Sequence, residues 1–376
     1  MDARPVPTRL LCTITFRIKN RHMYACALIG GSLMTSKPFW KRGKFLFLVL
    51  LPIPAFLVSL LIGAYPLPAD VALGIFFSKL LYPIFQYPSL PVQDAVIFDL
   101  RLPRIVLAIL GGIALSVSGA SLQSLFKNPL VDSYILGVSA GAGMGASIGI
   151  AFLPNVPGSP QILSFVFGFG AFLIAYYVAK SKGETPVVSL VLAGVIVTAL
   201  FSAGLSIIKF FTDVNQMAGV VYWLMGSLAI TGWSEVLKSA PIILVSYVLI
   251  YLMRWRLNVL SMGDEEAKSL GVNVQRDRLI ILIATTLMVS ALISVAGVIG
   301  WVGLVIPHTI RMFLDTPDNR LIVPVSASLG AVFLLLADDI ARSVTSFELP
   351  VGVITTLIGA PFFLYLLKRR GGNVWK

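Results

Sequence analysis

The sequence predicts an all-α, polytopic membrane protein with about ten transmembrane helices. Three observations predict it. Hydrophobic residues make up 57% and charged residues 12% of the chain, against about 25% charge in an ordinary soluble domain. Apolar runs of bilayer length recur from end to end. Finally, residues 101–145 join apolar runs that are broken by small residues: Gly111, Gly112, Ser116, Ser118 and Gly119, then Gly137, Ser139, Gly141, Gly143 and Gly145. Small residues let helix backbones approach closely in lipid, where packing rather than the hydrophobic effect drives association. That stretch reads as the packed heart of the molecule.

In order along the chain, residues 1–44 are polar and basic and read as a poorly ordered cytoplasmic extension. The apolar stretch 25–34 within them is too short for a signal-peptide core with a cleavage site. Residues 45–370 form the transmembrane domain, and 371–376 a short tail. Spans are expected at 45–64, 104–125, 135–153, 161–179, 187–208, 236–253, 279–297, 298–314, 321–341 and 349–367. The eighth holds Pro307 and His308 and reads as broken or tilted. Residues 219–232 are apolar but interrupted by glycine. They read as a short interfacial helix with Tyr222 and Trp223 at headgroup depth.

Loop charge sets the orientation. With the N-terminus inside, inner segments hold 23 of the 29 lysines and arginines. Both termini are then cytoplasmic and the number of spans is even. The net charge of +12 follows this alternation. No basic face with interleaved aromatics suggests nucleic acid.

Two cysteines, Cys12 and Cys26, lie before the first long apolar run and exclude a disulfide framework. No Cys/His cluster suggests a metal, and no cofactor is implied. No phosphate-binding GxxxxGK[ST] loop and no catalytic set appears. Uphill transport would draw on a partner chain or an ion gradient. The span interiors are nearly free of charge, which weighs against an ion-coupled secondary carrier.

The ordered motifs identify a resemblance. Arg101-Leu102-Pro103-Arg104 is followed by Ser118-Gly119-Ala120 with Gln123, by Asn128-Pro129-Leu130, by Leu136-Gly137-Val138-Ser139 with Gly141-Ala142, and by Leu192-Ala193-Gly194. Trp223-Leu224-Met225-Gly226-Ser227 and Ala267–Leu270-Gly271 come next. Gly303-Leu304-Val305-Ile306-Pro307-His308 with Arg311, Ala337-Asp338 with Arg342, Glu348-Leu349-Pro350-Val351-Gly352 and Gly359-Ala360-Pro361-Phe362 close the series. Over residues 45–370 the chain resembles the FecCD/BtuC family, the permease subunits of type II ABC importers.

The resemblance implies a non-enzymatic, multi-pass subunit of the cytoplasmic (inner) membrane. It implies a homodimer that encloses the path, two ATP-binding cassette subunits that hydrolyse ATP, and an extracytoplasmic substrate-binding protein. The cargo would be a metal chelate, iron(III)–siderophore first, with cobalamin, haem or molybdate as alternatives. An ion-coupled carrier is the rival from another class.

Residue roles follow from the same resemblance. Arg101, Arg104 and Arg342 would receive acidic residues of the binding protein, as guanidiniums grip carboxylates. Otherwise they anchor helix ends, or Arg342 pairs with Asp338 or Asp339. Segment 255–278 would couple to the ATPase through a short helix over 264–270. Asp264 would be its N-cap, Ala267, Leu270 and Gly271 its packed residues, and Gly271 its stop. Asn128, Pro129, Gly137, Ser139, Gly141, Thr185 and Gly194 would line the path or its inner gate, although turn chemistry and tight packing explain the same residues. Pro307, His308, Arg311, Pro350, Gly352 and Pro361 would be structural. His308 is read that way rather than as a haem ligand.

Overall fold

A computed structural model describes residues 39–63, 65–180, 185–229, 231–344 and 347–370. The chain divides into two units, Met1–Arg42 and Gly43–Lys376. Most of the basic extension and the C-terminal tail lie outside the described residues, and the helical bundle belongs to the second unit.

Every regular element among the described residues is helical. In chain order they are α1 (Phe39–Leu50), α2 (Pro52–Leu61), α3 (Ala69–Leu80) and α4 (Pro91–Ala95). A π turn, Val96–Arg101, carries α4 directly into α5 (Leu102–Leu125). Then come α6 (Val138–Phe152), α7 (Ser159–Ala179), α8 (Val187–Phe211), α9 (Val214–Leu224) and α10 (Trp233–Met262). The last are α11 (Asp264–Ser269), α12 (Val274–Ala296), α13 (Val302–Leu314), α14 (Asn319–Ser343) and α15 (Val351–Arg370).

Among the described residues, seven helical stretches are long and apolar enough to cross a membrane. They are Gly43–Leu61, Pro91–Leu125, Ser159–Ala179, Val187–Phe211, Trp233–Met262, Val274–Ala296 and Asn319–Ser343. The remaining three expected spans fall on the shorter apolar helices Val138–Phe152, Val302–Leu314 and Val351–Tyr365. Proline lies inside α10, α13, α14 and α15, at Pro241, Pro307, Pro324 and Pro361. Neighbouring helices in a bundle re-satisfy the backbone groups that such prolines free.

Helix α5 is the centre. Its apolar window is 83% buried, against 22% for α8 and for Gly43–Leu61. It packs against α10, α12, α13 and α14, while α6, α7 and α8 form a neighbouring group that meets α12. The glycines allow this. A Cβ on Gly112 would stand 2.1 Å from the Gly330 carbonyl oxygen of α14, and one on Gly119 would stand 1.9 Å from that of Gly303 in α13. Ser116 donates to the Gly112 carbonyl at 2.6 Å and to Ser326 of α14 at 2.7 Å. The small residues of this stretch therefore do what the sequence predicts: they let three backbones meet.

Three expected boundaries change. The second span begins at Pro91 rather than 104, because the helix runs through the π turn without a break. Arg101 and Arg104 thus lie well inside a helix rather than at its mouth. The sixth span runs on to Met262, past Arg254 and Arg256, and stops at Gly263. The short helix expected over 219–232 instead occupies Val214–Leu224 and ends before Gly226, whose φ is +70°. A left-handed φ at that point ends a helix cheaply only with glycine.

Candidate functional site

Two polar clusters stand at opposite ends of α5. The first gathers the C-terminal end of α2, the start of α5, the C-terminal end of α14 and the segment before α15. Arg104 donates to Asp338 through Nε, at 2.9 Å to Oδ2, and through Nη2, at 2.9 Å to Oδ1. Its Nη1 reaches Glu348 at 2.8 Å. Arg342 donates to the Ser59 carbonyl at 2.8 Å and to the Ser59 hydroxyl oxygen at 2.6 Å, and pairs with Asp339. Ser59 Oγ in turn donates to Asp339 at 2.6 Å. Arg101 donates to the carbonyls of Leu60 and Tyr65. Gly63 makes room for it: a Cβ there would sit 2.7 Å from the Arg101 Nε.

In this geometry none of the three guanidiniums stands free. Arg101, Arg104 and Arg342 are 4, 7 and 5% exposed, and each is spent on this chain's own carbonyls, hydroxyl or carboxylates. The physical reason is balance. Buried arginines would be prohibitively costly alone: Asp338, Asp339 and Glu348 neutralise Arg104 and Arg342 at hydrogen-bond distance, and two backbone carbonyls take up Arg101. The cluster ties α2, α5 and α14 together. Pairing of Arg342 with Asp339 was one of the sequence alternatives. Ser59 and the bidentate Arg104–Asp338 pair carried no local signal, because their partners lie far along the chain.

The second cluster surrounds α11, at the C-terminal end of α10. Asp264 opens α11 but does not cap it. Gly263 precedes the helix, and Asp264 reaches Arg278 of α12 at 2.7 Å. Arg278 is buried and donates a second bond, at 2.9 Å, to the Thr185 carbonyl. Thr185 Oγ1 donates to Gln275 Oε1 at 2.9 Å. The α11 segment is thus pinned to α12 and to the start of α8. Arg256 pairs with Asp277 at 2.7 Å, and Asn273 caps α12 by accepting from Arg276 N–H at 3.1 Å.

Ala267 is fully buried against its own chain, so it is a foot of α11 rather than a free contact residue. Leu270, 56% exposed, and the exposed Gly271 point away from the bundle. Gly271 ends the helix as expected, with φ +76° and its N–H on the Lys268 carbonyl at 3.0 Å. Glu265, Glu266, Lys268 and Ser269 are exposed on the same segment.

The expected path and gate residues divide into turns and close-packing points. Asn128 accepts the Leu130 N–H at 2.9 Å, an Asx turn, and with Pro129 borders a cavity of about 740 Å³. Gly137 starts α6 with φ +80°. A Cβ on Gly141 would lie 2.5 Å from the Phe167 oxygen, and one on Gly194 would lie 2.2 Å from the Ile135 oxygen. Ser139 is half-buried, and Thr185 is held between Arg278 and Gln275. Residues 181–184, inside the second expected gate loop, lie outside the described residues.

The residues expected to be structural take the following places. His308 is buried and edge-on to Phe363, with ring centroids 5.9 Å apart. Gly352 sends its N–H to the Gly226 carbonyl at 3.2 Å, and Pro350 immediately precedes α15. Arg311 of α13 donates to Gln123 Oε1. The Gln123 amide is fixed by a 3.1 Å bond from its Nε2 to the Gly303 carbonyl. In the sequence Gln123 and Arg311 belong to separate motifs, and nothing local to either marks their contact.

One acid outside the helices is perturbed. Asp132, in the turn between α5 and α6, has its carboxyl pushed up to about 6 by burial, only partly offset by the Ser133 N–H it accepts.

The comparisons agree with this architecture. A metal-chelate type ABC transporter solved in an inward-facing conformation superposes with a TM-score of 0.76 at 34% identity, covering 87% of this chain and 99% of that one. The chain is 40% identical over 277 residues to a probable iron chelatin transport system permease protein of Helicobacter pylori, covering 74% of this chain and 83% of the relative. It is 37% identical over 336 residues to the molybdate import system permease protein of Haemophilus influenzae, covering 88% and 98%. The model of the FecCD transport family matches residues 48–369. With all but the ends of its helical bundle matched, the chain belongs to the FecCD transport family.

Proposed function

We propose that this protein is the membrane-spanning permease subunit of a binding-protein-dependent ABC importer and carries a metal chelate, iron(III)–siderophore first. Two copies enclose the path, and two separate ATPase subunits drive it. The observation that carries this reading is α11. It is a short helix between two long ones, fixed by Asp264–Arg278 and Thr185, with Leu270 and Gly271 turned outward. A rigid, exposed protrusion of this kind transmits motion from a docked partner into α10 and α12. Family membership and the loop charge bias support placing α11 and both termini in the cytoplasm, with ten spans in the cell membrane.

The binding protein then meets the opposite end of α5. There the arginine cluster holds the shape of the landing surface, rather than supplying free charges to it. The path residues Asn128, Pro129, Gly137, Ser139, Gly141, Thr185 and Gly194 act through backbone shape. Family relatives carry names for both iron chelatin and molybdate, so molybdate stays beside cobalamin and haem as an alternative cargo.

The test is substrate-stimulated ATP hydrolysis in liposomes that contain the permease, its ATPase and its binding protein. Ferric siderophores, haem, cobalamin and molybdate are compared for wild type and Leu270→Asp. Stimulation by one ligand, lost in Leu270→Asp, is the expected result. Uptake that persists without any ATPase and collapses with an uncoupler would replace the importer with an ion-coupled carrier.

A further inference from the structure

The cavity of about 740 Å³ at the α11 end of the bundle lies between the turn after α5, the C-terminal part of α13 and the start of α14, with Ser261 of α10 at one side. Its volume lies in the range of small-molecule sites. It has a feature that the packing of the bundle does not account for. Arg104, Arg256, Arg278 and Arg342 each meet a carboxylate. Among the described residues Arg101 and Arg311 bond only neutral oxygens, and of the two Arg311 lines the cavity, half-buried, on the oxygens of Gln123, of Ala120 at 3.3 Å and of Ser124 at 3.4 Å. A guanidinium withdrawn from water without a counter-charge favours an anion beside it.

A second cation borders the same space. Lys127 sits in the turn at φ +50°, a conformation that costs a side chain of its type and that asparagine or glycine would adopt readily. Next to it, Asn128 also lines the cavity and spends its carbonyl oxygen on the Leu130 N–H, which leaves its NH₂ unbonded among the described residues. Asp315, exposed on the rim, is the carboxylate of the lining. The wall therefore offers two cations and an amide donor around an open volume.

We propose that this cavity binds a phosphate group, held by Arg311 and Lys127 with Asn128 as a neutral donor. A phosphate carries the negative charge both cations lack, and it has enough oxygens to accept from a guanidinium fork and an ammonium together. Ser261 of α10 lines the cavity three residues before α11, so its occupant touches the helix that leads into the segment the proposed function assigns to coupling. Binding itself is independent of which cargo is carried. The phosphate comes from a soluble phosphate ester or from a lipid headgroup, and the chemistry is shared.

The full chain is reconstituted in nanodiscs of phosphatidylcholine. Inorganic phosphate is titrated against sodium chloride at matched ionic strength, with thermal unfolding as the readout. Phosphate is expected to raise the unfolding temperature with saturation, where chloride does not. Lys127→Asn, which suits the backbone of the turn, is expected to weaken the phosphate response about tenfold, the loss for one charge-assisted hydrogen bond. Arg311→Gln is expected to abolish the response, and if it fails to assemble, Lys127→Asn decides alone.

The titration is repeated in nanodiscs with added phosphatidylglycerol. Prior stabilisation with no further response assigns a headgroup, an unchanged response assigns a soluble phosphate, and both uphold the site. The absence of any phosphate-specific response in either lipid, or a response identical in wild type and Lys127→Asn, overturns it.

Discussion

Gly111 and Gly112 are neighbours on α5 with opposite tolerances. A Cβ on Gly111 would meet leucine methyls of Leu292 and Leu334 at 2.8 and 2.9 Å, while one on Gly112 would meet the Gly330 backbone at 2.1 Å. Flexible side chains can give way and a neighbouring helix backbone cannot. Gly111→Ala is therefore expected to fold with a small loss of stability. Gly112→Ala is expected to lose about 3 kcal/mol or more, at the upper end of overpacking costs; unfolding midpoints in mixed detergent compare the two. At the arginine cluster, removing one partner strands a buried charge. Arg104→Ala is expected to cost about 3–5 kcal/mol, and Arg104→Met combined with Asp338→Leu much less, read by the same unfolding series. At Asp132 the sign follows from the raised value of about 6. The folded state holds the proton more tightly than the unfolded one, so stability is greatest at low pH and falls as pH rises from the ordinary carboxyl range through about 6. A shift of that size corresponds to roughly 3 kcal/mol. Asp132→Asn is expected to flatten the difference in unfolding temperature between pH 5 and pH 7.5; an unchanged difference would remove Asp132 as its source.

At the scale of elements, α11 is short and isolated helices of its length are not stable in water. Its order comes from Ala267 packed beneath it and from Asp264 on Arg278. Asp264→Asn is expected to loosen the segment and raise amide hydrogen exchange over residues 264–272, with α5 unchanged. If the proposed coupling holds, ATPase stimulation drops alongside. Sequence reading located α11 and its glycine stop, because Gly271 and the acidic first turn are local features. It misassigned Asp264 as a cap, because the competing partner Arg278 belongs to the next helix. It likewise started the second span too late. The π turn before Leu102 is a backbone adjustment with no residue signature, and two arginines in sequence look like a membrane boundary whether or not their charges are met.

For the whole molecule, α8 presents a long apolar face with no partner among the described residues: Val188, Leu192, Ile196 and Leu200 are 79, 60, 57 and 65% exposed. Lipid or a second copy covers such a face. The proposed homodimer predicts that native mass spectrometry from detergent finds two chains, and that Leu192→Arg/Ile196→Arg yields one. A wild-type protein that remains a single chain at working concentration would count against a path shared by two copies. Fold class, the seven long apolar spans and the glycine-lined centre were legible in the sequence, because bilayer thickness and close backbone packing leave their mark on composition and local spacing. The family could be read from short motifs for the same reason. Tertiary structure alone decided the fate of the arginines. Whether a guanidinium greets a partner or neutralises a buried carboxylate depends on residues far away in the chain, such as Asp338 and Glu348 for Arg104, and no local pattern records that distance.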